Sequence, residues 1–207
     1  AELGGADSIT VHLREDRRHI QDRDLFLLKE TIKTKLNLEM AATEEMLQIA
    51  KKVKPNYVTL VPEKREEVTT EGGLNISNDK EFYCEFIKDL KKSSILVSAF
   101  IDPVVSQIKS SQEVGFEIIE LHTGSYAEAE AQEQKNEFMR IKEATFFASD
   151  QGLIVNAGHG LTFQNVEKIA SINKINELNI GHSIVSRALA VGLENSVREM
   201  KTLISKN

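Results

Sequence analysis

Short apolar or β-branched runs recur along the chain, with helical patterns between them. The runs "SITVHL" (8–13), "LNLEMA" (36–41), "YVTLV" (57–61), "ILVSAFI" (95–101), "FEIIELHT" (116–123), "LIVNAGH" (153–159) and "LNIGHSIV" (178–185) read as strands. Between two of them, "TEEMLQIAKKVK" sets Met46, Leu47, Ile49, Ala50 and Val53 on one helical face, with Thr43 as N-cap and acids in the first turn. "DPVVSQIKSSQEVG" reads as a helix capped by Asp102, opened by Pro103 and ended by Gly115. Strands that are nearly continuous in apolar residues and alternate with helices predict a parallel sheet covered by helices.

An open doubly wound sheet and a closed barrel both fit that alternation. An open sheet gathers its ligand groups at one switch point. Here nearly every run ends in something polar: His12, Glu39, the "PEKR" after Val61, Asp102, Glu120 with His122, His159, and Gly181 with His182. Chemistry at every strand end belongs to a barrel, because all those ends ring one mouth. The predicted fold class is α/β, a (β/α)8 TIM barrel with extra helices. Seven runs are visible, and "AELGGAD" resembles the last turn of a helix feeding the strand at Ser8. The first βα unit is therefore expected to be missing from this sequence, with residues 1–207 a single, N-terminally incomplete barrel domain.

Composition narrows the partners. The 207 residues are 41% hydrophobic and 28% charged, enough for one sizeable core. A net charge of -6 argues against a phosphate-tracking surface, so no nucleic-acid partner is expected. No apolar run approaches the roughly 20 residues of a membrane span, and no signal-peptide pattern opens the sequence. A lone cysteine, Cys84 on the apolar face of "EFYCEFIKDL", excludes an internal disulfide and fits a reducing cytoplasm.

The candidate chemistry lies at the strand ends. Of the five histidines, His12, His122, His159 and His182 sit at ends of predicted strands, and His19 lies in the loop after the first. Histidine titrates near neutral pH and passes protons in either direction. Glu39 interrupts an apolar strand, where burial would raise its pKa and suit a general base. Glu120 has the same character and points the same way as His122, two residues on. The loops "NAGHGL" and "NIGHSIV" place Gly158, Gly160 and Gly181 after the last two strands, the second leading into a helix, which is a recurrent phosphate site. "VPEKREEVTTEGG" reads as a mobile lid hinged at Gly72 and Gly73. The local cluster of Arg14, Arg17 and Arg18 is able to bind a small anion.

Together "TVHLREDRRHI", "NLEMA", "LVPEKREEVTTEGGL", "ELHTGSYA", "NAGHGLT" and "ELNIGHSIV" resemble the pyridoxine 5′-phosphate synthase family of bacterial vitamin B6 synthesis, in order along the whole chain. The resemblance implies a barrel with additional helices, a homo-octamer assembled from dimers, and no metal or organic cofactor. It implies condensation of 1-deoxy-D-xylulose 5-phosphate with 3-amino-2-oxopropyl phosphate to pyridoxine 5′-phosphate, inorganic phosphate and water. By the same resemblance His12 and Glu39 match proton acceptors, His159 a proton donor and Glu120 a stabiliser of a transition state. Arg14, His19 and Thr69 match contacts to the deoxyxylulose phosphate, and Gly160, Gly181 and His182 contacts to the aminooxopropyl phosphate; Arg17 and Arg18 have no such match and read as structural ion-pair partners. The family's Asn-x-Asp-His motif of the first strand, with its following arginine, has no counterpart here. A metal-dependent barrel hydrolase is a rival reading, but it lacks the usual His-x-His pair and leaves Arg14 and the glycine loops unexplained. A non-enzymatic phosphate binder is the other rival.

Overall fold

The computed structural model describes residues 1–63 and 72–205. Seven parallel strands lie in sequence order in one curled sheet: β1 (Ser8–His12), β2 (Lys35–Met40), β3 (Tyr57–Leu60), β4 (Leu96–Ile101), β5 (Ile118–His122), β6 (Ile154–Gly158) and β7 (Ile175–Asn179). The intervening helices are α1 (Asp22–Thr31), α2 (Glu44–Val53), α3 (Lys80–Lys91), α4 (Val105–Val114), α5 (Gly124–Glu128), α6 (Ala131–Asp150) and α7 (Val166–Ala170), followed by α8 (His182–Val191) and α9 (Leu193–Ile204). The fold is α/β and TIM-barrel-like. Among the described residues no helix is long and apolar enough to cross a membrane.

The strands are less uniformly apolar than their runs suggest, and the difference organises the molecule. Successive strand residues point to opposite faces. On the helix-covered face stand Leu36, Leu38, Met40, Val58, Leu60, Val97, Ile101, Ile119, Leu121 and Val155, all buried in the main apolar cluster. The inner face is largely polar: Thr10, His12, Asn37, Glu39, Thr59, Ser98, Glu120, Asn156 and Asn179 occupy the alternate positions. Burying those groups is tolerable only where they bond to one another. They do so across the barrel, for the Tyr57 hydroxyl on β3 donates to Glu177 on β7.

Six of the predicted strands lie within two residues of the observed ones, and the seventh is displaced. Residues 178–185 read as a strand from the sequence, yet β7 ends at Asn179 and α8 begins at His182. Inward Glu177 and Asn179 make β7 look unlike an apolar strand, whereas Ile184, Val185, Ala188 and Leu189 recur at helical spacing beyond Gly181. Thr43 caps α2 as expected, accepting from the Met46 N–H at 3.5 Å, and Gly115 ends α4 with φ +100°. Asp102 does not cap α4; Val104 stands at that position without a side-chain cap, and Pro103 precedes the helix. The Asp102 carboxylate is drawn instead to the His122 ring and to the Gly73 N–H.

Candidate active site

The charged stretch after β1 divides its labour. Arg17 pairs with Asp22 at 2.6 Å and with Glu45 at 2.5 Å, and Arg18 pairs with Asp16 at 2.6 Å. Both arginines are thus engaged in ion pairs, as expected. His12, the last residue of β1, donates from Nε2 to Glu63 Oε1 at 2.7 Å, because a carboxylate can only accept. In a neutral ring this leaves Nδ1 as the basic nitrogen. Burial works to raise the Glu63 pKa, but the His12 bond, the Glu15 N–H and the charges of His12 and Arg14 outweigh it and hold the carboxyl below its ordinary range.

Glu39 pairs in register with His12 across β1 and β2. Burial raises its pKa, with the charge of His12 pulling the other way. Glu120, 2% exposed, is pushed much further up, first by burial and then by the charge on Glu39. Two carboxyl groups that repel in this way do not ionise together. Of the two, Glu120 is held further towards its protonated form.

Glu120 also ends a chain of hydrogen bonds that all run in one direction. Thr59 Oγ1 donates to Asn37 Oδ1 at 3.0 Å, and Asn37 Nδ2 donates to Thr10 Oγ1 at 3.3 Å. Thr10 Oγ1 donates in turn to Asn179 Oδ1 at 2.8 Å, and Asn179 Nδ2 to Glu120 Oε2 at 2.7 Å. Such chains polarise cooperatively. A Cβ on Gly158 would lie 2.2 Å from Glu120 Oε1, so the carboxyl group fits only because that residue is glycine. Gly158→Ala should cost about 1–3 kcal/mol by overpacking, read as a lower urea midpoint at unchanged slope.

After β6 the backbone turns left-handed at His159 (φ +82°) and Gly160 (φ +73°). A non-glycine residue there carries strain that its surroundings must impose. The buried Thr123 imposes it: its hydroxyl lies 2.7 Å from the Gly158 carbonyl and 2.5 Å from that of His159, while its N–H donates to Gly158 at 2.8 Å. Burial lowers the His159 pKa, with the charges of His122 and His182 adding to the effect and Glu128 opposing it. The Ser183 hydroxyl donates to the Leu161 carbonyl at 3.0 Å, tying the start of α8 to this loop.

His12, Glu39, Glu120, His159, Gly160, Gly181 and His182 all line one cavity of about 1110 Å³, beside Phe100, Asn179 and Ser183. Residues from β1, β2 and β5, from the loop after β6 and from the start of α8 thus converge. Arg14 and His19 are not in that lining: Arg14 is buried near Asp16 and Glu63, and His19 is exposed in the loop after β1. Thr69 and most of the predicted lid fall on residues 64–71, outside those described. Gly73 is needed for close approach, since a Cβ there would lie 2.3 Å from the Asp102 nitrogen. Sequence reasoning missed Thr123 and Asn179, met Glu63 only within the polar "PEKR" stretch, and read Asp102 as a polar strand end and a helix cap without its His122 partner. The period-two polar positions of the strands were the signal that could have found Asn179. Among the described residues no group of three or more His, Cys, Asp or Glu is arranged to hold a metal ion.

A curled parallel sheet that brings acids, bases and glycine loops from its strand ends to one cavity defines an acid–base enzyme of the TIM-barrel type. Residues 1–206 match the family described as Pyridoxal phosphate biosynthesis protein PdxJ, and the chain belongs to that family. The pyridoxine 5′-phosphate synthases of Prochlorococcus marinus strains MIT 9515 and MIT 9312 are each 72% identical to it over 207 residues, covering 100% of this chain and 87% of the relative. Among solved structures, phosphoribosyl anthranilate isomerase from Thermus thermophilus aligns with a TM-score of 0.65 at 13% identity, over 99% of this chain and 90% of that one. That likeness concerns the fold alone. As a family member the chain is an enzyme of vitamin B6 biosynthesis.

Proposed function

We propose that this enzyme condenses 1-deoxy-D-xylulose 5-phosphate with 3-amino-2-oxopropyl phosphate, closing the ring of pyridoxine 5′-phosphate and releasing inorganic phosphate and water. The observation that carries this reading is the single cavity that holds His12, Glu39, Glu120 and His159 together with Gly160, Gly181 and His182. Imine formation, loss of phosphate, proton shifts and an aldol-like closure each need a positioned acid or base. His12, its Nε2 held by Glu63, and the ionised Glu39 take protons. His159 delivers one, and the protonated Glu120 donates a hydrogen bond to the oxygen that gains charge. The left-handed loop at Gly160 and the start of α8 at Gly181 and His182 hold the phosphate of the aminooxopropyl substrate. Arg14, His19 and Thr69 belong to the proposal as contacts to the other phosphorylated substrate. Holding both substrates together removes much of the entropic barrier, on the order of 7–11 kcal/mol at best.

The same reading takes the chain as part of one (β/α)8-barrel domain. Among the described residues β1 and β7 are the edges of the sheet, the cavity runs between them, and one further parallel strand would pair both. A cytoplasmic location and assembly into a homo-octamer complete the proposal. The test supplies both phosphorylated substrates to the full-length protein and follows pyridoxine 5′-phosphate by absorbance. Product should form in step with phosphate, and His12→Ala should lower turnover about 100-fold with an unchanged far-ultraviolet spectrum. Absence of product, or wild-type turnover in that variant, overturns the reading.

A further inference from the structure

Asp102 stands just beyond β4 and leaves α4 without a side-chain cap. Its Oδ1 accepts from His122 Nδ1 at 3.1 Å and from the Gly73 N–H at 3.3 Å. The His122 side chain is 8% exposed. Its ring centroid lies 5.1 Å from that of Phe100 and 5.0 Å from that of His159, the two imidazoles meeting edge to face at 66°. The backbone of Gly124 closes the remaining side, so tightly that a Cβ there would sit 2.4 Å from His122 Nε2 and 3.2 Å from His159 Cδ2. His122 Nε2 is buried with no hydrogen-bond partner among the described residues.

This is a poor way to fill space. An apolar side chain would fill this space without stranding a nitrogen. A buried nitrogen is left unpaired among the described residues, and one imidazole is held in one orientation against another. We propose that His122, locked by Asp102, is a positioning residue that orients the His159 imidazole for its proton transfer. The assignment rests on the reading of His159 as the proton donor. It is the arrangement in which a carboxylate fixes the plane of one ring, and that ring fixes the plane of the next.

The electrostatics agree with the geometry. His122 on β5, His182 on α8 and Glu128 on α5 face His159, and of these His122 opposes a positive charge there most strongly, after burial itself. Asp102 is faced by His122 and by Arg140 on α6; the His122 bond is the main cause of its lowered pKa. Removing the His122 imidazole therefore raises the pKa of His159, and the limb of the rate profile that reports His159 moves to higher pH.

The experiment uses the full-length protein with His122→Phe, which keeps a ring, and Asp102→Asn, whose half-exposed side chain makes few packing contacts. Nitrogen NMR of labelled imidazoles follows His159 against pH without substrate, and steady-state rates are measured with both substrates. The expected results are a higher titration midpoint for His159 in His122→Phe, and a kcat lowered about 10- to 100-fold in both variants, with KM changed less than about threefold. In a His159→Ala background neither substitution should lower the rate further. An unmoved His159 midpoint, an unchanged kcat, or an equal loss in the His159→Ala background overturns the proposal. A wild-type protein that forms no product while its His159 midpoint still follows His122 refutes the reaction and leaves the coupling of the two rings standing.

Discussion

Glu39→Gln should lower kcat by about 100- to 10,000-fold, leaving the fold and both KM values close to wild type. Glutamine has the shape of glutamate and keeps an acceptor oxygen, so only the proton-accepting capacity is lost. Glu39 stands at the end of β2, in register with His12, and lines the cavity with His159 and Gly181. Burial raises its pKa above 4.5, against the opposing charge of His12, which moves a weak base towards the operating pH. In the wild type, activity should fall as pH drops through that raised value, because the base becomes protonated. That acid limb should vanish from the residual activity of Glu39→Gln. Rates measured from about pH 4 to 9 with both substrates saturating check both outcomes; a wild-type kcat in the variant removes Glu39 from the chemistry.

Glu120→Gln should have opposite effects on activity and stability. The folded-state pKa of Glu120 lies well above 4.5, through burial and the charge on Glu39, so folding favours its protonated form. A carboxyl group shifted in that direction stabilises the fold below its unfolded pKa, and the contribution is lost as pH rises through the folded value. Glutamine is neutral at every pH, resembles the protonated acid, and can still accept from Asn179 Nδ2. The variant should therefore melt at a higher temperature than wild type at pH 7 to 8, with the difference shrinking towards pH 4. Its turnover should fall by about 100-fold or more, because an amide is a poorer donor to a developing oxyanion than a carboxylic acid. Stability held back at a working site is a familiar trade. Equal melting temperatures at neutral pH would show that Glu120 does not carry the burial penalty argued here.

Much of this is legible along the chain. Glu39, Glu120 and His159 stand out because polar groups at the ends of apolar strands must be bonded or used. The glycines after β6 and before α8 stand out by their place in the alternation. What escapes a reading along the chain is whatever depends on a partner remote in sequence. Asp102 satisfies every local rule for a helix cap, preceding a proline and an amphipathic run, yet its carboxylate belongs to His122, 20 residues on. Glu63 looks like one charge in a polar loop until folding sets it against His12, 51 residues away. Glu177 and Asn179 disguise β7, because their side chains enter a polar interior that the apolar-strand pattern does not anticipate.

The sequence by itself determined the order of strands and helices, the parallel sheet and the strand ends at which acids and bases emerge. These follow from periodicities of two and 3.6 residues and from local backbone preferences, which act over a few neighbouring positions. Only the tertiary structure decided which carboxyl group is held further towards its protonated form, which nitrogen of His12 is engaged by Glu63, and which imidazole rests on which. Those depend on desolvation and on charges a few ångströms apart, and the curl of the sheet brings such groups together from opposite ends of the chain.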